Sequence, residues 1–218
     1  VLIWFAYPLH TYLNICLAHI QGGEVSGSID ESARHCITKL ANFHFPSTDR
    51  AAEYIVRMGE RPDTVFNVGC PSGDIALNLE LTLPADCFQN GLGANINNDE
   101  PYFLVVLHPV TTDFDAAEKN ASILLGALHS IGMKTVWLWP NIDAGSDGVS
   151  RAIRRFREQK SPEWLLLTKN FSPDLYLKIL ANAKCCIGNS SSFIRDSSFF
   201  GTPVVMMGDR QEARERAS

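Results

Sequence analysis

The chain has 218 residues and a mass of 24.1 kDa, and its 45% hydrophobic and 20% charged residues are typical of a folded globular protein and not of a disordered or fibrous one. Nineteen Lys and Arg against 24 Asp and Glu give a net charge of −5, which excludes a broad basic surface for nucleic acid or acidic lipid. The longest apolar stretch, Val1–Leu9, is shorter than the roughly 20 residues that span a bilayer, and it lacks the basic start of a signal peptide. We therefore expect a cytoplasmic protein that binds neither nucleic acid nor a membrane.

Short β-rich runs alternate with stretches of helical period, a pattern that predicts βα units and a mostly parallel sheet. A capping-box pattern at Ser28–Glu31 predicts a helix over Asp30–Leu40. The predicted strands are, in chain order, Cys16–Ile20, Phe43–Pro46, Thr64–Val68, Tyr102–Leu107, Thr135–Leu138, Trp164–Leu167, Cys185–Ile187 and Pro203–Met206.

The segment Leu81–Glu100 contains Pro84, two Gly and four Asn without a clean period, which is typical of a connection between domains. We therefore predict two Rossmann-like parallel-sheet halves, residues 1–90 and 91–218. Ligands of such folds bind beyond the carboxyl ends of the strands, so we expect functional residues in the loops that follow strands.

The six cysteines, at positions 16, 36, 70, 87, 185 and 186, lie mostly in apolar runs, and no pair has the C-x-x-C spacing of a metal site. We interpret them as reduced, buried side chains. A zinc or redox site is the less favoured alternative, and we expect no metal.

Polar side chains first concentrate after the first predicted strand. His19 ends that strand, and the glycine-rich turn Gln21–Gly27 lets a ligand approach the backbone closely. Because the acids at positions 30 and 31 precede Arg34 and His35 by four residues, each acid and its basic partner share a helix face. A tight turn followed by ordinary surface ion pairs is the structural alternative.

The second half has its own polar loops. His108 ends one predicted strand, and Asn141 and Asp143 follow another; a structural histidine and a turn cap are the alternatives for these residues. The run Gly188–Ser192 lies between a strand and a helix, where free N–H groups, the helix dipole and serine oxygens suit a diphosphate. Simple capping by a serine is the alternative there.

Six blocks in this order, HIQGGEVSGSIDESARH, GCPSGD, HPVTTD, PNIDAGS, GNSSSFIRD and FGTPVV, resemble the hydrolysing UDP-N-acetylglucosamine 2-epimerases of sialic acid biosynthesis, from about His19 to Glu215. The resemblance implies a glycosyltransferase-B-like fold, in which two Rossmann-like domains hold a nucleotide sugar between them. It also implies anti elimination of UDP to a 2-acetamidoglucal and hydration to N-acetylmannosamine. Neither step needs a metal or redox cofactor, and a homo-oligomer, a dimer or a tetramer, is expected.

The resemblance also assigns roles to residues. His19, Glu24 and Asp30 match the family's acid–base cluster, Ser190 and Ser191 with Arg210 its diphosphate contacts, and Asp196 its ribose-binding carboxylate. The predicted catalytic residues are thus His19, Gln21, Glu24, Asp30 and His108. The predicted substrate-binding residues are Arg34, His35, Asn141, Asn189, Ser190, Ser191, Asp196 and Arg210.

The chain also departs from the family pattern. Gln21 stands where many relatives have Glu, and an amide cannot exchange protons as a carboxylate does. The family's Asp-Arg pair should fall just before Val1, and the chain stops at Ser218, before the family's closing helices. We therefore expect a fold truncated at both ends, and little or no UDP release from these 218 residues.

Three alternatives remain open. The first is a glycosyltransferase of the same superfold, although the polar His19 turn suits proton abstraction better than binding of an acceptor sugar. The second is a non-catalytic nucleotide-sugar sensor, which Gln21 favours. The third is an epimerase acting on a 2,4-diacetamido sugar carried by UDP or GDP.

Overall fold

The computed structural model describes residues 12–26, 29–109, 114–140 and 146–215. These residues divide into two compact units. The first contains the described residues up to Leu77 together with those of Asp209–Arg216, and the second is Asn78–Gly208. No described helix is both long enough and apolar enough to cross a bilayer.

The first unit has a two-stranded parallel sheet, β1 (Ala18–Ile20) and β2 (Phe43–Phe45). Its helices are α1 (Ile29–Leu40), α2 (Asp49–Arg57) and α3 (Pro71–Asn78), the last of which reaches the boundary with the second unit. The central residues of the two strands, His19 and His44, are paired in register and buried, while the residues on either side of them are more exposed. Because residues in register point to the same face of a sheet, the two imidazoles are neighbours on the covered face.

The predicted strand Thr64–Val68 is wrong. Pro62–Thr64 forms a 3₁₀ turn instead. The residues after it form one bridge, between Val65 and His44, and donate backbone hydrogen bonds from Phe66 to His44 and from Val68 to Pro46 without forming a strand. Proline fixes φ in the range of such a turn. The Phe66 and Val68 side chains that follow are exposed, so burial of apolar side chains does not stabilise a strand there.

The second unit contains a sheet of order β3-β6-β5-β4-β7-β8, parallel except for β3. Its strands are β3 (Leu92–Gly93), β4 (Tyr102–Val106), β5 (Lys134–Leu138), β6 (Leu165–Thr168), β7 (Cys185–Gly188) and β8 (Val204–Met206). Its helices are α4 (Phe114–Ile131), α5 (Ser146–Lys160), α6 (Pro173–Asn182) and α7 (Ser192–Phe200).

Two apolar clusters form the core of this unit. One contains Leu125 and Leu128 of α4 with Ile153 of α5, and the other contains Ile179 of α6 with Phe193 of α7. Alternate residues of β4 contribute to the two clusters, so they cover opposite faces of the sheet. The predicted α/β class with mostly parallel sheets is confirmed.

The segment Leu81–Glu100 is more than a connection, which corrects its interpretation from composition. Cys87, Phe88 and Ile96 are buried in the core of the second unit, and Leu92–Gly93 pairs antiparallel with β6. The Asn98 amide also donates to backbone carbonyls at positions 83 and 84. The sequence shows no helical or strand period here, because the segment packs on the core through side chains at irregular spacing and only two of its residues pair in the sheet.

The six cysteines are free, but only Cys87 and Cys186 are buried, which corrects the expectation that all are. Cys70 and Cys185 are half-buried, and Cys16 and Cys36 are exposed. Cys16 precedes β1, and Cys36 lies on the outer face of α1, so apolar neighbours in sequence do not place them in a core. Burial raises the pKa of Cys87 to about 11 and that of Cys186 to about 12. Within the described ranges, no group of three or more His, Cys, Asp or Glu side chains is placed to hold a metal ion.

Candidate functional site

The polar centre of the first unit is built around His19, in the middle of β1. Its side chain is buried, and Nδ1 lies 3.1 Å from Oγ1 of Thr38 on α1. A Cβ at Gly22 would lie 2.7 Å from His19 Nδ1 and 3.2 Å from Thr38 Oγ1. The glycine is therefore required for the imidazole and the hydroxyl to pack together.

The environment of His19 disfavours its protonated form. Burial, followed by the nearby His44 and Arg34, lowers the pKa of His19 to about 4, so its imidazole is neutral at pH 7. Burial also lowers the pKa of His44, although the Glu60 carboxylate, 3.4 Å from His44 Nε2, opposes this shift. Glu60 is itself held by an ion pair with Lys39. The site therefore presents uncharged imidazoles.

This lowered pKa makes stability depend on pH. In the unfolded chain His19 takes up a proton near pH 6.5, whereas in the fold it does so only near pH 4. Between these two pH values the unfolded chain binds the proton and the folded protein does not. The contribution of His19 to the free energy of unfolding is therefore fully present above pH 6.5 and is lost as the pH falls from about 6.5 towards 4. We expect urea unfolding to show a free energy of unfolding that declines over this interval, and a His19→Gln variant to decline less. Equal declines in the two proteins would contradict the assignment.

The residues after β1 are tied to distant parts of the same unit. Gln21 lies in the left-handed region, at φ 58°, and its Nε2 donates to Cys70 Sγ at 3.2 Å. The Glu24 carboxylate accepts a hydrogen bond from Arg214 Nη1, and both side chains are largely buried. The Glu24 carbonyl accepts a hydrogen bond from Arg34 Nη1 at 2.7 Å. Arg34 thus lies near both His19 and the Glu24 backbone, whereas the Gln21 side chain is bonded to Cys70.

The other predicted residues of this unit have different surroundings. Asp30 lies in α1, but its side chain falls outside the described residues. His35 is half-buried, and its Nε2 has no hydrogen-bond partner among the described residues. Glu31 accepts a hydrogen bond from the backbone N–H of Ser26 at 2.8 Å, whereas Ser28 of the predicted capping box is outside the described residues.

In the second unit, the ends of β4 and β7 are joined by Asn189. Its buried side-chain amide donates to the carbonyl of His108 at 2.8 Å, and its Oδ1 accepts the His108 N–H at 2.7 Å. Asn189 therefore fixes the backbone of His108 beside the run Ser190–Ser192. Sequence reasoning placed both residues at this edge of the sheet but did not identify the link between them.

A chain of hydroxyl groups orders the serine run. Tyr176 OH lies 2.5 Å from Ser192 Oγ, which lies 3.0 Å from Ser190 Oγ. Ser191 is the N-cap residue of α7, but its side chain makes no capping hydrogen bond. Tyr176 is buried in this network, and that burial raises its pKa. The turn is thus ordered by Tyr176 and Ser192, and not by capping through Ser191.

The remaining predicted binding residues are more scattered. Asp196 of α7 is buried, with Oδ1 3.3 Å from Nε of Arg195. Arg210 lies in the segment Asp209–Arg216, which belongs to the first unit. Asn141 and Asp143 lie outside the described residues. Three partners could not be identified from the sequence: Thr38, Arg214 and Tyr176. Only Thr38 had a signal in the sequence, because it is a polar residue at a helical position that is buried.

Comparisons with known proteins extend these observations. A family described as UDP-N-acetylglucosamine 2-epimerase matches residues 9–218. A UDP-N,N'-diacetylbacillosamine 2-epimerase (hydrolyzing) of Legionella pneumophila is 32% identical over 206 residues, which are 94% of this chain and 53% of that protein. A UDP-N-acetylglucosamine 2-epimerase of Neisseria meningitidis is 30% identical over 199 residues, 91% of this chain and 50% of that protein.

The fold has matches among solved structures. The crystal structure of UDP-GlcNAc 2-epimerase from Neisseria meningitidis bound to UDP-GlcNAc has a TM-score of 0.75 at 15% identity, and the match covers 95% of this chain and 58% of that chain. The predicted glycosyltransferase-B-like fold class is thereby confirmed. The chain spans about half the length of the curated relatives that it matches. Because the family match covers nearly every residue, the chain belongs to the UDP-N-acetylglucosamine 2-epimerase family.

Proposed function

We propose that the protein is a hydrolysing UDP-N-acetylglucosamine 2-epimerase, which converts UDP-N-acetylglucosamine and water to N-acetylmannosamine and UDP. The observation that carries this proposal is the polar cluster at the turn after β1, where the buried His19 lies near the half-buried Arg34, and Glu24 is paired with Arg214. Titratable side chains whose pKa values are shifted by burial and by neighbouring charges are enriched at functional sites. Family membership supports the nucleotide-sugar substrate.

The chemistry requires two kinds of group. In the first step a base removes the proton on C2, the C–H electrons form the C1=C2 bond of 2-acetamidoglucal, and the C1–O bond to the diphosphate breaks. In the second step water adds to C1 and a proton returns to C2 from the opposite face. The first step needs a positioned base and neutralisation of the charge that grows on the leaving UDP.

The first unit is proposed to handle the protons. The neutral imidazole of His19 and the carboxylates of Glu24 and Asp30 are its acid–base groups, and the Glu24 carboxylate is paired with Arg214. Gln21 cannot take up a proton, so it orients a water molecule or the substrate instead. Arg34 and His35 are proposed to contact the sugar from the following helix.

The second unit is proposed to bind UDP. Ser190 and Ser191 offer hydroxyl and backbone N–H groups to the diphosphate at the start of α7. Arg210, in the segment Asp209–Arg216 of the first unit, is proposed as a further substrate-binding residue. Asp196 accepts hydrogen bonds from the ribose. His108 is proposed to contact the leaving diphosphate, and the hydrogen bonds from Asn189 that hold its backbone beside the serine run support this role. Asn141, which follows β5 in the chain, is proposed to contact the substrate.

The reaction in deuterated water tests the proposal. The protein, expressed from its complete coding sequence, is incubated with UDP-N-acetylglucosamine and followed by proton NMR. We expect free N-acetylmannosamine that carries deuterium at C2, together with an equal amount of UDP. Unlabelled N-acetylmannosamine, or release of N-acetylglucosamine, would exclude elimination and rehydration. Binding of UDP with no turnover would instead support a nucleotide-sugar-binding protein.

A second candidate substrate is a UDP- or GDP-linked 2,4-diacetamido sugar. It is favoured by the Legionella pneumophila relative, whose identity of 32% is as high as that of the relative named for UDP-N-acetylglucosamine. The same NMR assay with UDP-N,N'-diacetylbacillosamine in a parallel tube compares the two substrates. The larger kcat/KM identifies the preferred sugar, and a ratio below about tenfold would mean that the 4-substituent is not recognised.

A further inference from the structure

Thr38 is a fully buried hydroxyl in the last part of α1, and its surroundings are specific. Its Oγ1 lies 3.1 Å from His19 Nδ1 and also 3.1 Å from the carbonyl oxygen of Arg34, one helical turn earlier. Threonine has a single hydroxyl hydrogen, so Thr38 can donate to only one of these two atoms. The choice between them decides which nitrogen of His19 carries the hydrogen.

The helix favours donation to the Arg34 carbonyl. A threonine inside a helix commonly directs its hydroxyl hydrogen to the carbonyl four residues before it, and the observed distance fits that bond. Thr38 then presents only lone pairs to His19.

We propose that Thr38 is a positioning residue that holds His19 as the Nδ1–H tautomer and leaves Nε2 as the hydrogen-bond and proton acceptor. The Nδ1–H group donates to Thr38 Oγ1, because a hydroxyl that donates elsewhere can only accept from the ring. The lowered pKa of His19 keeps the ring neutral at pH 7, so one tautomer must be chosen.

Packing around the pair supports a fixed ring. Gly22 closes one side, since any side chain there would collide with His19 Nδ1 and Thr38 Oγ1. His44, paired in register on β2, lies beside His19 on the same covered face. The imidazole is thus held between Gly22, Thr38 and His44, and rotation of the ring would break its hydrogen bond to Thr38.

This inference rests on the proposed function only for its catalytic consequence. With hydrogen on Nδ1, Nε2 can accept a proton or a hydrogen bond from the substrate, as the acid–base role of His19 requires. The tautomer itself is a property of the unliganded protein, so it can be measured without any substrate.

The test is long-range proton–nitrogen NMR on protein with ¹⁵N-labelled histidine at pH 7, with the His19 signals identified by their loss in His19→Gln. We expect Nδ1 at the shift of a protonated ring nitrogen and Nε2 at that of an unprotonated one. Thr38→Val keeps the shape and removes the hydroxyl, so we expect the Nδ1–H share to fall from nearly all to about half or less. Thr38→Ser should retain the original pattern.

Two results would overturn the inference: hydrogen on Nε2 in the unaltered protein, or an unchanged pattern in Thr38→Val. The unaltered protein gives its answer even if Thr38→Val fails to fold. Thr135→Val, at a buried threonine of β5 whose hydroxyl donates to the Met133 carbonyl, is the matched control and should leave the His19 signals unchanged.

Activity then separates this inference from the proposed function. In a protein that epimerises, Thr38→Val should lower kcat about tenfold at unchanged KM, and Thr38→Ser should restore it. If the protein expressed from its complete coding sequence shows the expected tautomer but no epimerase activity, the role of Thr38 is upheld and the proposed function is rejected. Epimerase activity in a protein with hydrogen on Nε2 would uphold the proposed function and reject the role of Thr38.

Discussion

Replacing Gly188 with alanine is expected to destabilise the second unit by about 3 kcal/mol or more. A Cβ at this position would lie 1.9 Å from the carbonyl oxygen of Val106 and 2.7 Å from its carbonyl carbon. Both atoms are backbone and cannot rotate away, and φ at Gly188 is 147°, where residues with a side chain are strained. The pairing of Val106 with Gly188 at the carboxyl ends of β4 and β7 would have to open.

Urea unfolding of Gly188→Ala beside Gly201→Ala measures the effect. Gly201 also has a positive φ, 67°, but a Cβ there meets no atom within 4 Å, so its replacement should cost only the left-handed penalty of about 1–2 kcal/mol. Equal losses in the two variants would contradict the close approach of β4 and β7. Because Asn189 follows Gly188 directly, we also expect Gly188→Ala to weaken UDP binding in any protein that still folds.

His19→Gln is expected to lower the kcat of the proposed epimerase at least about 100-fold, since positioned acid–base groups contribute about 10²–10⁴ to rates. Glutamine can still form hydrogen bonds inside the unit, but its amide cannot accept a proton. The C2 proton would therefore lose one of its proposed acceptors. The measurement is UDP release from UDP-N-acetylglucosamine by the protein expressed from its complete coding sequence.

His129→Gln is the matched histidine control for that measurement. His129 lies on α4 and accepts a hydrogen bond from Trp164 Nε1, outside both polar clusters. We expect this variant to keep its activity within about twofold, and we expect His19→Gln to keep its affinity for UDP, because the serine run belongs to the other unit. A folded His19→Gln protein with activity within tenfold of the original would contradict the proposed role of His19.

The regular part of the fold could be predicted from local patterns. The strands from Tyr102 to Val106 and from Lys134 to Leu138 are short apolar runs, and buried parallel strands need that composition wherever they lie in a sheet. Thr64–Val68 has a similar composition but forms only one bridge, because its first residue belongs to the 3₁₀ turn Pro62–Thr64. Leu92–Gly93 was missed because two residues carry no period.

The sequence by itself determined the family, the order of the βα units and the positions of the polar turns, since each depends on residues close together in the chain. Only the tertiary structure decided the partners of those turns: Thr38 for His19, Arg214 for Glu24, and Tyr176 for Ser192. Glu24 and Arg214 are 190 positions apart, and neither has a local pattern that indicates the other. A hydrogen bond between two side chains forms only within a narrow range of donor–acceptor distances, a few tenths of an ångström wide. The packing of whole helices and strands sets those distances.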